Sequence, residues 1–160
     1  MKELTILRHA KSNRPYGVED INRPLSAEGI ERIKKVSHNK DDFFVDADVI
    51  ISSPAKRALH TAMIMMSELD LPQEKLIIER NLYTFSGFNV IDFVYALRDH
   101  WNKVVIVGHN PAFIELINHF SDTGIDHLRT SGLAKISFDK DQWSEINKGQ
   151  IILGQKINYH

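Results

Sequence analysis

The stretch Leu4–Ser12 reads L-T-I-L-R-H-A-K-S, an apolar run that breaks off at Arg8-His9 into a long polar segment. Leu4–Leu7 alternates β-branched and aliphatic side chains, which predicts a short buried strand. An arginine beside a histidine at its carboxyl end sets an anion clamp next to a titratable nitrogen. The dipeptide says little alone, but two later segments finish the same way. Val49–Ile51 opens V-I-I-S-S-P-A-K-R, and Lys103–Val107 opens K-V-V-I-V-G-H-N-P. Continuous apolar runs of this kind predict strands buried on both faces, as in a parallel sheet covered by helices.

Helical patterns separate these runs. Ser26 is placed to cap a helix through Val36, with Ile30, Ile33 and Val36 on one side. Pro54–Leu69 carries Ala55, Ala58, Leu59, Ala62, Met63, Met66 and Leu69 at helical spacing. Helices are also expected over Val90–His100 and Pro111–Phe120, and a short edge strand over Leu76–Glu79. Beyond Gly132, Leu133–Phe138, Trp143–Ile146 and Gln150–Lys156 read as strands joined by polar turns, an antiparallel addition to the sheet. The pattern predicts a three-layer α/β/α sandwich with a mostly parallel central sheet, one domain over residues 1–160. Lys11–Leu25 lacks periodicity and is long for a connection, which marks it as a candidate functional loop.

Composition narrows the function classes. The 160 residues carry 42% hydrophobic and 26% charged side chains and a formal net charge of −1. That charge gives no argument for nucleic acid or an anionic membrane. No window has the length and apolarity of a membrane span. Met1-Lys2-Glu3 leads into the first strand without a signal segment, so a cytoplasmic location is expected. The chain has no cysteine, which removes thiolate metal sites and a cysteine nucleophile. The eight histidines show no H-E-x-x-H or comparable spacing, so neither metal nor other cofactor is expected.

Ligands of open parallel sheets bind beyond the carboxyl ends of the strands. If the three strand ends converge, Arg8, His9, Arg57 and His109 surround one pocket. The two guanidiniums suit phosphoryl oxygens. One imidazole can attack phosphorus while the other donates to a developing oxyanion. In the second and third segments, Ser53 and Asn110 are placed as N-caps with Pro54 and Pro111 at the first helical positions. Thr61 shares the Arg57 face of its helix. A serine hydrolase built on Ser52 or Ser53 with His109 would leave both arginines unexplained.

L-R-H-A resembles the Arg-His-Gly signature of the histidine phosphatase superfamily, the phosphoglycerate-mutase-like fold. S-S-P-A-K-R-A-L-H-T-A and V-G-H-N-P are similar to its second and third signatures. Arg23–Gly29, R-P-L-S-A-E-G, resembles a segment of the short, SixA-like phosphohistidine phosphatase branch. The resemblance implies His9 as a nucleophile that forms a phosphohistidine intermediate. It implies Arg8 and Arg57 as phosphate-binding residues, with His109 completing the pocket. Ser12, Arg23, Thr84 and Asn110 are candidate rim residues. Ala10 stands where the family carries glycine, which matters only if φ is positive there.

Many members carry a Glu or Asp general acid at the position that here reads Thr84. Glu79 and Asp92 are the nearby carboxylates. Loss of the acid disfavours poor leaving groups, since general acid catalysis contributes ~10²–10⁴-fold. An imidazole, with a pKa of roughly 6.5, needs far less help. The implied partner is therefore a phosphohistidine-containing protein substrate, with the oligomeric state left open. A small-metabolite phosphomonoesterase and a non-catalytic phosphate- or phosphoprotein-binding module are the alternatives.

Overall fold

The computed structural model describes residues 1–154. The strands are β1 (Lys2–Arg8), β2 (Val49–Ser52), β3 (Leu76–Ile78), β4 (Lys103–Gly108), β5 (Leu133–Phe138) and β6 (Gln150–Leu153). They form a six-stranded sheet in the order β3-β2-β4-β1-β5-β6. The first four in that order are parallel; β5 pairs antiparallel with β1, and β6 pairs antiparallel with β5. The helices are α1 (Ala27–Asn39), α2 (Lys56–Glu68), α3 (Gly87–Tyr95) and α4 (Ala112–Phe120). Among the described residues, no helix is long and apolar enough to cross a membrane.

The continuous apolar strands divide their side chains between two cores. Leu4, Ile6, Val49, Ile51, Val104 and Ile106 pack against α3 and α4, with Phe113, Leu116 and Phe120 fully buried. Leu7, Ile50, Val105 and Val107 point the other way, onto Ile33 of α1 and Ala58, Ala62 and Met65 of α2. Burial on both faces explains why these runs do not alternate polar with apolar. The result is the expected three-layer α/β/α sandwich.

Several boundaries differ from the sequence expectation, each for a local reason. α3 ends at Tyr95 rather than His100. Ala96 N–H is shared between the carbonyls of Asp92 and Phe93, and the following turn is turned inward to serve Lys2. Lys2 Nζ donates to the carbonyls of Asp99 and Trp101 and to Asn102 Oδ1. α3 also starts earlier, at Gly87, whose N–H donates to Glu115 Oε2 of α4 at 2.6 Å. Trp143–Ile146 is no strand: Trp143–Glu145 is a 3₁₀ turn. Trp143 and Ile146, three apart, are both buried. The Trp143 N–H and indole N–H go to Asp99 Oδ1 and the Trp101 carbonyl, not to a ladder. In Gln150–Lys156, β6 closes at Leu153, while Gln155 and Lys156 lie outside the described residues.

The loop expectation holds. Residues 11–25 contain a single 3₁₀ turn, Asp20–Asn22, and are closed at the base by a bridge between Ser12 and Leu25. Ser26 caps α1 as expected, accepting from Gly29 N–H at 2.9 Å and donating to the Lys11 carbonyl at 3.1 Å. A side chain at Gly29 would run into that same Lys11 carbonyl. The glycine thus lets the start of α1 lie directly on the chain leaving His9.

Candidate active site

β1, β4 and β2 are adjacent, so their carboxyl ends meet. His9 N–H donates to the Gly108 carbonyl and Ser53 N–H to the Val107 carbonyl, which ties the three exits together. His9, Arg57 and His109 are 7%, 2% and 1% exposed. The two imidazole centroids lie 5.3 Å apart.

His9 Nδ1 lies 2.7 Å from the Ala10 carbonyl oxygen. A carbonyl only accepts, so Nδ1 carries the proton and Nε2 keeps its lone pair. Burial lowers the His9 pKa to about 4; the Ala10 bond opposes it, and the charges of Arg8, Arg57 and Arg23 add smaller downward pulls. His9 is therefore a neutral imidazole at pH 7. Ala10 fits where the family has glycine: it does not have a positive φ. Its N–H donates to Thr61 Oγ1 at 2.9 Å. Thr61 in turn donates to the Arg57 carbonyl, which joins the His9 loop to the first turns of α2.

His109 Nε2 lies 2.8 Å from Ser53 Oγ. That oxygen also accepts from Ala55 N–H, and we assign its hydroxyl proton to the bond with His109 Nε2. Neutral His109 then holds its proton on Nδ1, a buried atom with no partner among the described residues. Burial first, then the charge of His9 and Arg57, lowers its pKa to about 3. This bond corrects the expected helix start. Ser53 serves His109 rather than capping α2, which begins at Lys56 with Ala55 in the cap position. The serine-hydrolase alternative has no accessible nucleophile: Ser53 is fully buried between Ala55 N–H and His109, and Ser52 is fully buried with its hydroxyl on the Ser53 carbonyl.

Both arginines are held at one end and open at the other. Arg8 Nη1 donates to the Leu128 carbonyl at 3.0 Å. Arg57 Nη1 donates to the Asp20 carbonyl at 2.7 Å and Nη2 to Asp20 Oδ2 at 3.0 Å. Among the described residues, the Nε atoms of both are buried without a partner, as are Asn110 Oδ1 and Ser131 Oγ. Burial, then the charge of Arg57, lowers the Arg8 pKa. Buried donors are rarely left unmatched. Here the unmatched ones among the described residues are two guanidinium N–H groups, the Ser131 hydroxyl and the proton we assign to His109 Nδ1, a donor set suited to an oxyanion.

The other expected residues fall into two groups. Ser12 and Arg23 sit together at the rim, with Arg23 Nη2 donating to Ser12 Oγ at 2.6 Å. Asn110 does not cap α4. Its Nδ2 donates to the Leu128 carbonyl that Arg8 also uses, and Pro111 takes the cap position. Thr84 is spent locally, accepting from Ser86 N–H and Asn89 Nδ2. Glu79 accepts from Asn81 N–H and faces a cleft with Ile77, Phe93 and Trp101, and Asp92 is exposed on α3. No described contact brings either carboxylate to the imidazoles.

The carboxylate present is Asp20, from the 11–25 loop, which the sequence marked only as a segment. Burial pushes its pKa up, but hydrogen bonds from Tyr83, Arg57 and Arg23 prevail and hold it well below the usual carboxylate range. Tyr83 and Phe85 form an aromatic wall, their rings 5.7 and 6.2 Å from His109. Ser131, at φ 57°, donates its N–H to the carbonyls of Arg8 and His9 and closes the back of the site. No residue pattern pointed to Asp20, Tyr83 or Ser131, because each arrives from a loop.

The sequence pattern of the histidine phosphatase superfamily (branch 1) matches residues 4–92, and the chain belongs to that family. Over 76 residues it is 38% identical to a 2,3-bisphosphoglycerate-dependent phosphoglycerate mutase of Nautilia profundicola, a match covering 44% of this chain and 32% of the mutase. The chain thus spans about a third of that relative's length. The structure of the protein histidine phosphatase SixA complexed with tungstate superposes with a TM-score of 0.79 at 18% identity, covering 95% of this chain and 97% of that one. The mycobacterial glucosyl-3-phosphoglycerate phosphatase Rv2419c superposes at 0.73 and 11% identity, covering 96% and 98%. These likenesses show a phosphoglycerate-mutase-like fold.

Proposed function

We propose that this chain is a single-domain, metal-independent phosphatase that hydrolyses phosphohistidine on a protein partner through a phosphoryl-His9 intermediate. The observation that carries the reading is His9 itself, a neutral imidazole with its proton fixed on Nδ1 beside two guanidiniums with open Nε edges. Nε2 attacks phosphorus in line. The P–N bond to the substrate imidazole breaks, and its electron pair leaves with that imidazole, which takes a proton from solvent. Water then attacks the same phosphorus from the vacated side. The P–Nε2 bond breaks and its electrons return to His9; one water proton is released to solvent and inorganic phosphate keeps the other. Arg8, Arg57 and the His109 Nδ1 proton face the oxygens on which charge develops.

The choice of phosphohistidine follows from the lack of an acid. Thr84 cannot protonate an alkoxide, and Asp20 is held ionised by Tyr83, Arg57 and Arg23. An alcohol leaving group would need a proton that the site does not supply, whereas an imidazole departs with little assistance. The reading is supported by the SixA likeness and is tested by a substrate panel. Turnover of phosphohistidine proteins is expected to exceed that of serine and sugar phosphates, and to survive chelation by EDTA. Faster turnover of a sugar phosphate would shift the reading to a metabolite phosphatase.

A further inference from the structure

We infer that Asp20 is a positioning residue: by holding both Nη groups of Arg57, it turns the Nε edge of that guanidinium towards the phosphoryl group. The inference rests on the phosphatase reading only for the identity of the anion. A guanidinium offers two forks, one between its Nη groups and one along Nε. Asp20 fills the first, with its carbonyl at 2.7 Å from Nη1 and Oδ2 at 3.0 Å from Nη2. The buried Nε is left over. A ligand anion can therefore take the Nε edge without displacing Asp20.

The clamp is itself clamped. Tyr83 OH donates to Asp20 Oδ2 at 2.7 Å, and Arg23 Nη1 to Oδ1 at 3.2 Å. Arg23 is fixed by Ser12 Oγ at 2.6 Å and the Asn13 carbonyl at 3.2 Å. The loop from 11 to 25 and the turn at Tyr83 thus converge on one carboxylate whose other neighbour is Arg57. A fixed guanidinium plane matters because misplacement by about 1 Å can cost ~10² in rate. Asp20 acts only through Arg57, and that dependence can be measured.

Asp20→Ala is expected to lower kcat by roughly 10–100-fold with a smaller change in KM. In an Arg57→Ala background the same substitution is expected to cost nothing further, because the group it positions is gone. Asp20→Asn, which keeps an oxygen for Arg57 and Tyr83, is expected to recover part of the loss. A second readout needs no turnover: the Arg57 Nε–H resonance, narrow in the wild type and shifted by inorganic phosphate, broadens in Asp20→Ala. An equal loss in both backgrounds, or an Nε–H line indifferent to Asp20, overturns the inference. A wild type that hydrolyses no phosphorylated substrate, while its Arg57 line still depends on Asp20, overturns the phosphatase reading and leaves the positioning role standing.

Discussion

Where the parallel strands begin, Lys2 is 1% exposed and its ammonium donates to the Asp99 and Trp101 carbonyls and to Asn102 Oδ1. Where they finish, Arg57 is 2% exposed, and among the described residues neither its Nε nor the buried Nε of Arg8 has a partner. One sheet thus buries cations at both ends and treats them oppositely. An ammonium has three donors, and at the first end each has an acceptor. At the second end the protein fixes the guanidiniums but leaves donors open. A satisfied buried cation is structure. A partly unsatisfied one is pre-organised for an anion that the chain does not supply, and it is kept at a cost in stability.

The sharpest way to break this contrast is at the proposed nucleophile. His9→Ala is expected to lower phosphohistidine hydrolysis by on the order of 10⁴-fold or more, since no neighbour can replace a lone pair aimed at phosphorus. Rapid mixing with labelled substrate and acid quench should trap acid-labile phosphate on the wild type and none on the variant. Undiminished hydrolysis by His9→Ala would show that the open end of the sheet is not the reacting end. Next in size are the arginines. Arg57→Ala and Arg8→Ala are each expected to lose about 10²–10³-fold in kcat. Arg57→Lys should rescue little, because an ammonium cannot fill the Asp20 fork and still present an Nε edge.

The two ends differ also in how far the sequence discloses them. The open end is legible because its chemistry hangs on strand termini: Arg8, His9 and His109 follow apolar runs directly, and Arg57 lies one helical turn past another. The sheet order only had to bring those termini together. The satisfied end is illegible for the opposite reason. Lys2 looks like an ordinary terminal lysine, and its acceptors belong to a turn that the helical pattern of Val90–His100 concealed. Trp143 and Ile146 likewise carry a spacing that a strand and a 3₁₀ turn can both claim, and only the indole bond to the Trp101 carbonyl decides. Within the site, Asp20 and Tyr83 meet across a loop pairing that no periodicity encodes.

Acid should expose the contrast in stability as well as in rate. His9 and His109 have folded pKa values lowered to about 4 and about 3, against roughly 6.5 in the unfolded chain. As pH falls below the unfolded value, the unfolded chain takes up protons that the folded site refuses, so stability declines. It is complete well above pH 6.5 and is lost progressively as pH falls, down to about 4 for His9 and about 3 for His109. Between pH 7 and pH 5 the loss is about 2 kcal/mol for each histidine, measurable by urea unfolding. His9→Ala should roughly halve that slope. The kcat/KM profile of the wild type should stay flat through pH 6 and fall as His9 protonates near pH 4. Stability unchanged between pH 7 and pH 5 would contradict the neutral, buried imidazoles.

The smallest expected effect lies at the satisfied end. Lys2→Met keeps the length of the stem and removes the three donors, which leaves the Asp99 carbonyl and Asn102 Oδ1 to solvent and the Trp101 carbonyl to the Trp143 indole N–H. Hydrogen bonds to a charged donor contribute about 1.5–3 kcal/mol. The charge removed was also expensive to bury, so the lower part of that range is expected. Urea unfolding should register the loss, while kcat and the acid limb of the pH profile stay as in the wild type. The sites are at opposite ends of β1, with a fully buried run from Leu4 to Leu7 between them, and distant substitutions with no shared partners usually add. A Lys2→Met variant that lost activity at unchanged stability would mean that the two ends are coupled through β1, and that the satisfied cation also sets the position of Arg8.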